Sequence, residues 1–140
     1  EVMIVFEYWF RCWDRKNKKM VYLQKEHLDY YPNGALVLPL DCDIMLTTNS
    51  YDMNGREIYQ GDVLAHHKNS NHRRVVWFGE YENWDSEFVE HKMLGFYEAY
   101  KDDYYTDVIQ TYPFDNSTDW WVIVGNIFEN PEMDIGIRWE

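Results

Sequence analysis

The segment NGREIYQGDV, residues 54–63, decides the fold of this chain. Asn and Gly tolerate the positive φ angles of tight turns, so Asn54-Gly55 fits a type I′ or similar turn, and Gly61-Asp62 marks a second break. Between the turns, alternation along a short strand would place Ile58 inward and its two neighbours on the opposite face. Four residues are therefore predicted to serve the turns: Asn54, Gly55, Gly61 and Asp62.

A second segment of the same kind, VGNIFENPE, occupies residues 124–132. Gly125-Asn126 and Asn130-Pro131 are turn signals. Between them Ile127 is predicted to pack inward, while Gly125 and Pro131 shape the backbone. The backbone needs of β-turns explain both segments, so structural rather than chemical roles are predicted for them.

Strand chemistry dominates the rest of the chain. Short runs rich in β-branched and aromatic residues alternate with turn signals, which favours many short antiparallel strands. One short helix could begin after Ser86, a good N-cap residue. The pattern predicts an all-β protein, a small barrel or sandwich with at most one short helix. The predicted strands cover residues 3–12, 20–23, 35–38, 44–48, 63–64, 74–78 (ending at Gly79), 95–100 and 120–124.

Size and composition set the limits of this fold. A chain of 140 residues that is 46% hydrophobic can form one globular domain around an ordinary core. We expect a single domain over residues 1–140, with the alternative of an N-terminal β subdomain, 1–50, packed on a barrel, 51–140. No apolar run approaches the roughly 18 residues of a membrane span, and no signal peptide is evident. Cys12 and Cys42 are predicted to be buried small hydrophobic side chains.

The net charge of −12 is concentrated in one part of the chain. Residues 80–140 hold 3 basic against 15 acidic residues, a balance of −12, whereas residues 1–34 and 35–79 are close to neutral. A field of this sign repels phosphate backbones, so nucleic-acid binding is disfavoured. It would attract a basic protein surface instead, and plain solubility is the alternative explanation.

Three ordered blocks carry a resemblance to a known family. They are FRCWD at residues 10–14 followed by KKM at 18–20, DMNGREIYQGDV at 52–63, and VIVGNIFENPE at 122–132. In this order and spacing, the chain resembles the YopX family of phage and prophage proteins. One departure is the segment 81–119, which is longer and more acidic than is usual in the family.

The resemblance implies an all-β fold that contains a small SH3-like barrel built from short antiparallel strands. It also implies a bacteriophage or prophage origin, so the predicted location is the cytoplasm of the bacterial host. The family's molecular role is uncharacterised. The resemblance therefore carries over no catalytic residue and no cofactor-binding residue.

The side chains that most often carry chemistry form no recognisable constellation. His66 and His67 are neighbours, and on a regular strand they would point to opposite faces, so they could not share one metal ion. Asp41 and Asp43 would share a face, but Mg²⁺ or Ca²⁺ needs further oxygen ligands. No nucleophile elbow, phosphate-binding loop, dinucleotide fingerprint or HExxH motif is present. We predict no enzyme, no catalytic residue, no metal and no cofactor.

The acidic, aromatic stretch between Glu80 and Trp121 is the predicted interaction surface. On a strand, one indole of Trp120-Trp121 would face inward and the other outward, where it could join exposed tyrosines. The candidate interaction residues are Glu80, Glu82, Asp102, Asp103, Tyr104, Tyr105, Asp107, Tyr112, Trp120 and Trp121.

Two functions follow from these features. The first is a non-enzymatic phage accessory protein that binds a host or phage protein with a basic surface. In one version it is an acidic inhibitor or nucleic-acid mimic directed at a host defence or DNA-processing protein. The alternative is a β-barrel that binds a small ligand or nucleic acid through exposed aromatic side chains. The acidic charge favours the first.

Overall fold

The computed structural model describes residues 10–23, 29–30, 32–33, 36–37, 41–84, 90–101, 108–115 and 118–136. Within these ranges the chain forms strands, turns and two short 3-10 segments, Thr118–Trp120 and Pro131–Met133, and no α-helix. The all-β prediction is confirmed. The helix predicted after Ser86 begins outside the described residues. In the described part of the chain, no helix is long and apolar enough to cross a membrane.

The strands are numbered in chain order. They are β1 (Phe10–Asp14), β2 (Lys19–Leu23), β3 (Asp29–Tyr30), β4 (Leu36–Val37), β5 (Cys42–Tyr51), β6 (Glu57–Tyr59), β7 (Asp62–His66), β8 (Asn69–Trp84), β9 (Glu90–Lys101), β10 (Ile109–Pro113) and β11 (Trp121–Asn126).

The chain divides into two compact units, residues 1–47 and 48–140, with the boundary inside β5. In unit 1, β1 pairs antiparallel with β2 and with β5, and β3 pairs antiparallel with β4. In unit 2, five antiparallel strands follow the order β10-β9-β8-β7-β11. The division falls close to the predicted boundary between residues 50 and 51, and the packing of one part on the other stays a prediction.

The two cysteines of unit 1 form a disulfide bond, whereas two separate buried side chains were predicted. Cys12 lies in β1 opposite Ile44, and Cys42 lies at the start of β5 opposite Asp14. Their Cα atoms are 5.7 Å apart, which is within the reach of a disulfide. The prediction failed because the pairing depends on the register between two strands that are distant in sequence.

Unit 2 is built on a long hairpin that curls its sheet into a half-barrel. Strand β9 pairs with β10 only through Tyr97–Lys101. The Thr111 hydroxyl of β10 also donates to the Glu82 carbonyl of β8, 3.0 Å away. Strand β10 therefore contacts both strands of the hairpin. The curled antiparallel sheet agrees with the predicted small barrel, while its assignment to the SH3-like type stays a prediction.

A pair of glycines lies inside this hairpin, where Gly79 is directly opposite Gly95. The prediction that Gly79 ends its strand is wrong, because β8 continues to Trp84. Glycine inside a strand is typical of positions where a sheet bends. Since neither glycine has a side chain, the Tyr81 ring can lie 4.9 Å from the Tyr97 ring across this gap.

One hydrophobic cluster of unit 2 lies on one face of the curled sheet. It contains Ile58 of β6, Leu64 of β7, Val76 of β8, and Trp121 and Ile123 of β11, with Phe96 and Phe114 packed against them. Each of the five central side chains is less than 10% exposed, so they supply most of the apolar burial near the site described below.

The first predicted turn is organised by the buried carboxylate of Asp52. Its Oδ1 accepts hydrogen bonds from the backbone N–H groups of Asn54 (3.0 Å) and Arg56 (2.8 Å), and its Oδ2 accepts one from Ile123 N–H (3.0 Å). Gly55 has a φ of +80°, but Asn54 is not at positive φ. A type I′ turn requires both, so that turn type is wrong. The Asp52 carboxylate determines the geometry instead.

The second turn joins the two glycine-bearing segments. Gly61, at a φ of +92°, donates its N–H to Val76 O (2.7 Å), and its carbonyl accepts from Ile127 N–H (3.0 Å). Asp62 is 1% exposed, and its Oδ2 accepts from Tyr59 N–H at 2.8 Å. Tyr59, predicted on the outer face of β6, is 2% exposed like its neighbour Ile58. The predicted alternation is not contradicted, because a strand that is covered on both faces buries both of two neighbouring side chains.

The second segment depends on a close approach at Gly125. A Cβ atom there would lie 2.5 Å from Asn130 Oδ1, which accepts a hydrogen bond from Asn126 N–H at 3.2 Å. Pro131 then begins the 3-10 segment. Gly125 therefore leaves room for a polar contact within the turn, and Ile127 beside it is fully buried.

Candidate functional site

An exposed apolar side chain surrounded by acidic residues marks the far end of the hairpin. Leu94 of β9 is 73% exposed and lies directly opposite Glu80 of β8, and the next pair on the same face is Glu82 with Lys92. Lys92 Nζ is 3.5 Å from Glu80 Oε2, and both side chains are mostly exposed. We call this surface the acidic hairpin face; it comprises Glu80, Glu82, Glu90, Lys92 and Leu94.

The acidic hairpin face has a strong local field. A hydrogen bond to Glu82 and the negative charge of that residue raise the pKa of Glu90. Two carboxyl groups close enough to share a proton disfavour ionisation of both. Three carboxylates against the single ammonium of Lys92 leave the face acidic, and a cation placed between Glu82 and Glu90 would relieve their repulsion.

The face continues into a groove along β10. A cavity of about 320 Å³ lies between Glu82 and Glu90 of the hairpin and Ile109, Thr111 and Tyr112 of β10. Both sides supply polar groups, from Glu82 and Glu90 on the hairpin and from Gln110 and Thr111 on β10, while Ile109 and Tyr112 supply apolar surface. Tyr112 therefore connects the acidic hairpin face with the second feature of this surface.

The second feature is an arginine enclosed by aromatic rings. The guanidinium carbon of Arg74 lies 5.2 Å from the ring centre of Tyr100, 5.8 Å from Tyr112 and 4.8 Å from Trp121. Arg74 Nη1 also donates to Glu98 Oε2 at 2.7 Å. Both charged side chains lie on the core-facing side of the sheet. Cation–π contacts and an ion pair together hold the arginine in place.

The Arg74–Glu98 pair is incompletely satisfied. Glu98 is 1% exposed, and its Oε1 and the Arg74 Nε have no hydrogen-bond partner among the described residues. Burial raises the pKa of Glu98, with a further contribution from the nearby charge of Asp115, and the Arg74 contacts act in the opposite direction. A buried polar atom without a partner costs roughly 1–3 kcal/mol, so these two atoms are sites where an added hydrogen-bonding group would stabilise the protein.

A cavity of about 490 Å³ opens beside this pair. We call it the Arg74 cavity. It is lined by Arg74, Glu98, Tyr100, Tyr112, Pro113, Phe114 and Asp115.

A cluster of histidine and tryptophan rings forms a third feature, the histidine turn, made by His66, His67 and Trp120. The His66 and His67 rings are stacked at 5.0 Å, and the exposed Trp120 ring lies 6.2 Å from His66 and 5.6 Å from His67. The two histidines were predicted to point to opposite faces. They do not, because β7 ends at His66 and His67 belongs to the following turn. Within the described ranges no group of three or more metal-ligating side chains occurs.

The histidine turn predicts a loss of stability at acidic pH. Burial lowers the pKa of His66, followed by the positive charges of His67, His72, Lys68 and Arg74. The neutral ring also accepts a hydrogen bond from Lys68 N–H. A histidine with a lowered folded pKa contributes stability above its ordinary pKa of 6.5, and this contribution is lost as the pH falls through the folded value.

The test compares variants, because the carboxylates of this acidic chain also titrate. We expect the difference in melting temperature, His66→Gln minus the unchanged protein, to be more positive at pH 5 than at pH 7.5, in a thermal melt followed by circular dichroism. The matched control is the exposed His91→Gln. An equal difference at both pH values would show that His66 is not the group that titrates.

The structure distributes the predicted interaction residues over separate places. Glu80 and Glu82 lie together on the acidic hairpin face. Tyr112 lines the Arg74 cavity, and Trp120 belongs to the histidine turn. Trp121 is buried in the core, as alternation predicts for one indole of the pair. Five candidates lie outside the described residues: Asp102, Asp103, Tyr104, Tyr105 and Asp107.

Sequence reasoning missed Arg74 and Glu98. A signal was available, because Arg74 is two residues from the inward-facing Val76, and Glu98 is two residues from the inward-facing Phe96. Strand alternation therefore places both charges on the core side. A charged residue at an inward position of a strand usually has a partner, and the two would have been natural partners for each other.

Comparison with known proteins identifies the family. The sequence matches the family described as YopX protein over residues 9–133. Among solved structures, it is similar to the crystal structure of protein EF1440 from Enterococcus faecalis, at 19% identity and a TM-score of 0.43, over 92% of this chain and 98% of the other. No curated protein matches. Because the family match spans most of the chain and includes both glycine-bearing segments, this protein belongs to the YopX family.

Proposed function

We propose that this chain is a non-enzymatic bacteriophage or prophage accessory protein that acts in the cytoplasm of the bacterial host by binding a protein with a basic surface. The origin and location rest on the phage and prophage members of the YopX family. The binding role rests on one observation, the exposed Leu94 that lies opposite Glu80 and next to the Glu82–Lys92 pair on the acidic hairpin face.

This arrangement offers an apolar contact point within a charged rim. Large side chains that stay exposed at the centre of a polar rim are favoured anchors, because they lose water on contact. Charges at the rim guide association and select a partner of opposite charge. Nucleic acid is disfavoured because its phosphates carry the same sign as this face. An inhibitor that occupies the basic groove of a host defence or DNA-processing protein is one form of this role.

The experiment uses three immobilised forms of the full chain. The first is unchanged. The second carries Glu80→Gln, Glu82→Gln and Glu90→Gln. The third is a control with Asp41→Asn, Asp119→Asn and Glu132→Gln, three exposed acidic residues elsewhere. Both variants shift the formal net charge from −12 to −9, so general charge effects are matched.

Each form is exposed to an extract of phage-infected host cells, and retained proteins are identified by mass spectrometry. We expect the unchanged and control forms to retain a basic protein that is released at about 0.5 M salt. The variant with Glu80→Gln, Glu82→Gln and Glu90→Gln should not retain it. A Leu94→Ser variant should also lose it, since the anchor is removed without a change of charge. Equal retention on all forms, or no salt-dependent partner at all, would contradict the proposal.

A further inference from the structure

We propose that the Arg74 cavity binds a small uncharged planar molecule, of the nucleobase or nucleoside class, through the edge of its ring and one of its faces. This site is separate from the protein-binding role of the acidic hairpin face, and either can fail without the other.

Two side chains that line the cavity carry complementary polar atoms, which lie behind its surface and reach a ligand when the side chains turn toward it. Arg74 Nε can donate a hydrogen bond and Glu98 Oε1 can accept one, and both are buried without a partner in the described part of the chain. The Nη1–Oε2 contact fixes the two side chains relative to each other at 2.7 Å. A ligand that carries an acceptor beside a donor on one edge would satisfy both atoms. Nucleobases carry this pattern on their hydrogen-bonding edges.

The walls supply ring contacts. Tyr112 and Tyr100 are parallel, with an interplanar angle of 4° and centroids 5.8 Å apart, and Tyr112 is 42% exposed. Phe114 completes the apolar lining. An exposed ring held in a fixed orientation is a stacking surface for another planar ring. A volume of about 490 Å³ is within the range of small-molecule sites.

The charges of the cavity favour a neutral ligand. The positive charge of Arg74 is already matched by Glu98, and Asp115 adds a negative charge close to them. A phosphate group would meet Asp115 in a strongly acidic unit, and a cation would meet the guanidinium of Arg74. A nucleoside should therefore bind better than its monophosphate.

The experiment titrates the full chain with adenosine, guanosine, cytidine, uridine and their 5′-monophosphates by calorimetry at millimolar concentration. We expect at least one nucleoside to bind, and its monophosphate to bind about tenfold or more weakly. Tyr112→Ala should weaken nucleoside binding by about tenfold or more through lost stacking. Tyr112→Phe should bind the nucleoside as the unchanged protein does. Glu98→Gln should weaken nucleoside binding to a similar degree, since the amide NH2 group can take the place of the carboxylate oxygen that accepts the ligand's hydrogen bond.

The control is Tyr51→Ala, which removes another exposed tyrosine of unit 2 and should leave nucleoside binding unchanged. Absence of binding by all four nucleosides would overturn the proposal, and water would then be the group that satisfies Arg74 Nε and Glu98 Oε1. Binding that persists undiminished in folded Tyr112→Ala and Glu98→Gln would also overturn it, because the site would be elsewhere.

Discussion

Replacing Asp52 with alanine is expected to lower the free energy of unfolding of unit 2 by about 2–4 kcal/mol. Asp52 is 3% exposed, and its two carboxylate oxygens accept three backbone hydrogen bonds. The donors Asn54 and Arg56 are exposed, so water can replace the carboxylate there. The N–H of the buried Ile123 has no such replacement and would be left unsatisfied.

The measurement is urea unfolding followed by circular dichroism. The unfolding free energy of Asp52→Asn should lie between those of the unchanged protein and Asp52→Ala. The amide keeps the shape of the carboxylate but loses its charge and one acceptor. The exposed Asp119→Ala is the matched control and should change the unfolding free energy by less than about 0.5 kcal/mol. A loss below about 1 kcal/mol in Asp52→Ala would mean that the Asp52 carboxylate does not hold the first turn against β11.

The second large effect is expected on reducing the Cys12–Cys42 disulfide of unit 1. The cysteines are 30 positions apart in sequence, and a loop of this size implies a stabilisation of about 3–4 kcal/mol from the restricted unfolded chain. The unfolding free energy of unit 1 should fall by this amount when a reductant is added, and to the same degree in Cys42→Ser without reductant. Bacterial cytoplasm keeps thiols reduced, so in the proposed location the bond would form on oxidation.

Because the chain has two units, the loss of stability on reduction should be measured separately in each unit. Hydrogen exchange resolved by mass spectrometry can follow peptides from β1 and β5 separately from peptides of β8 and β9. Addition of reductant should speed exchange in the first group and leave the second unchanged. Exchange in β1 that is insensitive to reductant would contradict a stabilising disulfide, and Cys42→Ser treated with reductant shows any effect unrelated to the bond.

The sequence predicted the strands and turns well because these depend on local residues. Alternation and turn chemistry predicted strands near β1, β2, β5, β7 and β11, and the Asn-Gly and Gly-Asp pairs predicted the turns. The turn type at Asn54-Gly55 was wrong because the deciding group, the carboxylate of Asp52, also bonds Ile123, 71 positions away. Contacts of this range depend on tertiary structure and are not visible in a local pattern.

The candidate site was predictable only in part, for the same reason. The charge balance of residues 80–140 predicted an acidic surface, and Glu80 and Glu82 lie on it. Its anchor, Leu94, was not predicted, because its exposure depends on where the β8–β9 hairpin extends beyond its pairing with β7 and β10. Register likewise brings Arg74 and Glu98 together, and neither strand reveals this alone. The disulfide is another contact set by register.

The central proposal is that the acidic hairpin face, rather than the two glycine-bearing turns, carries the binding function. Its most direct measurement is a calorimetric titration of the purified basic partner, once captured, with the three matched forms at two salt concentrations. The proposal predicts that the Glu80, Glu82 and Glu90 variant binds about tenfold or more weakly and with a smaller salt dependence than the unchanged protein. The control variant should bind normally. One dissociation constant shared by all three folded forms would contradict it.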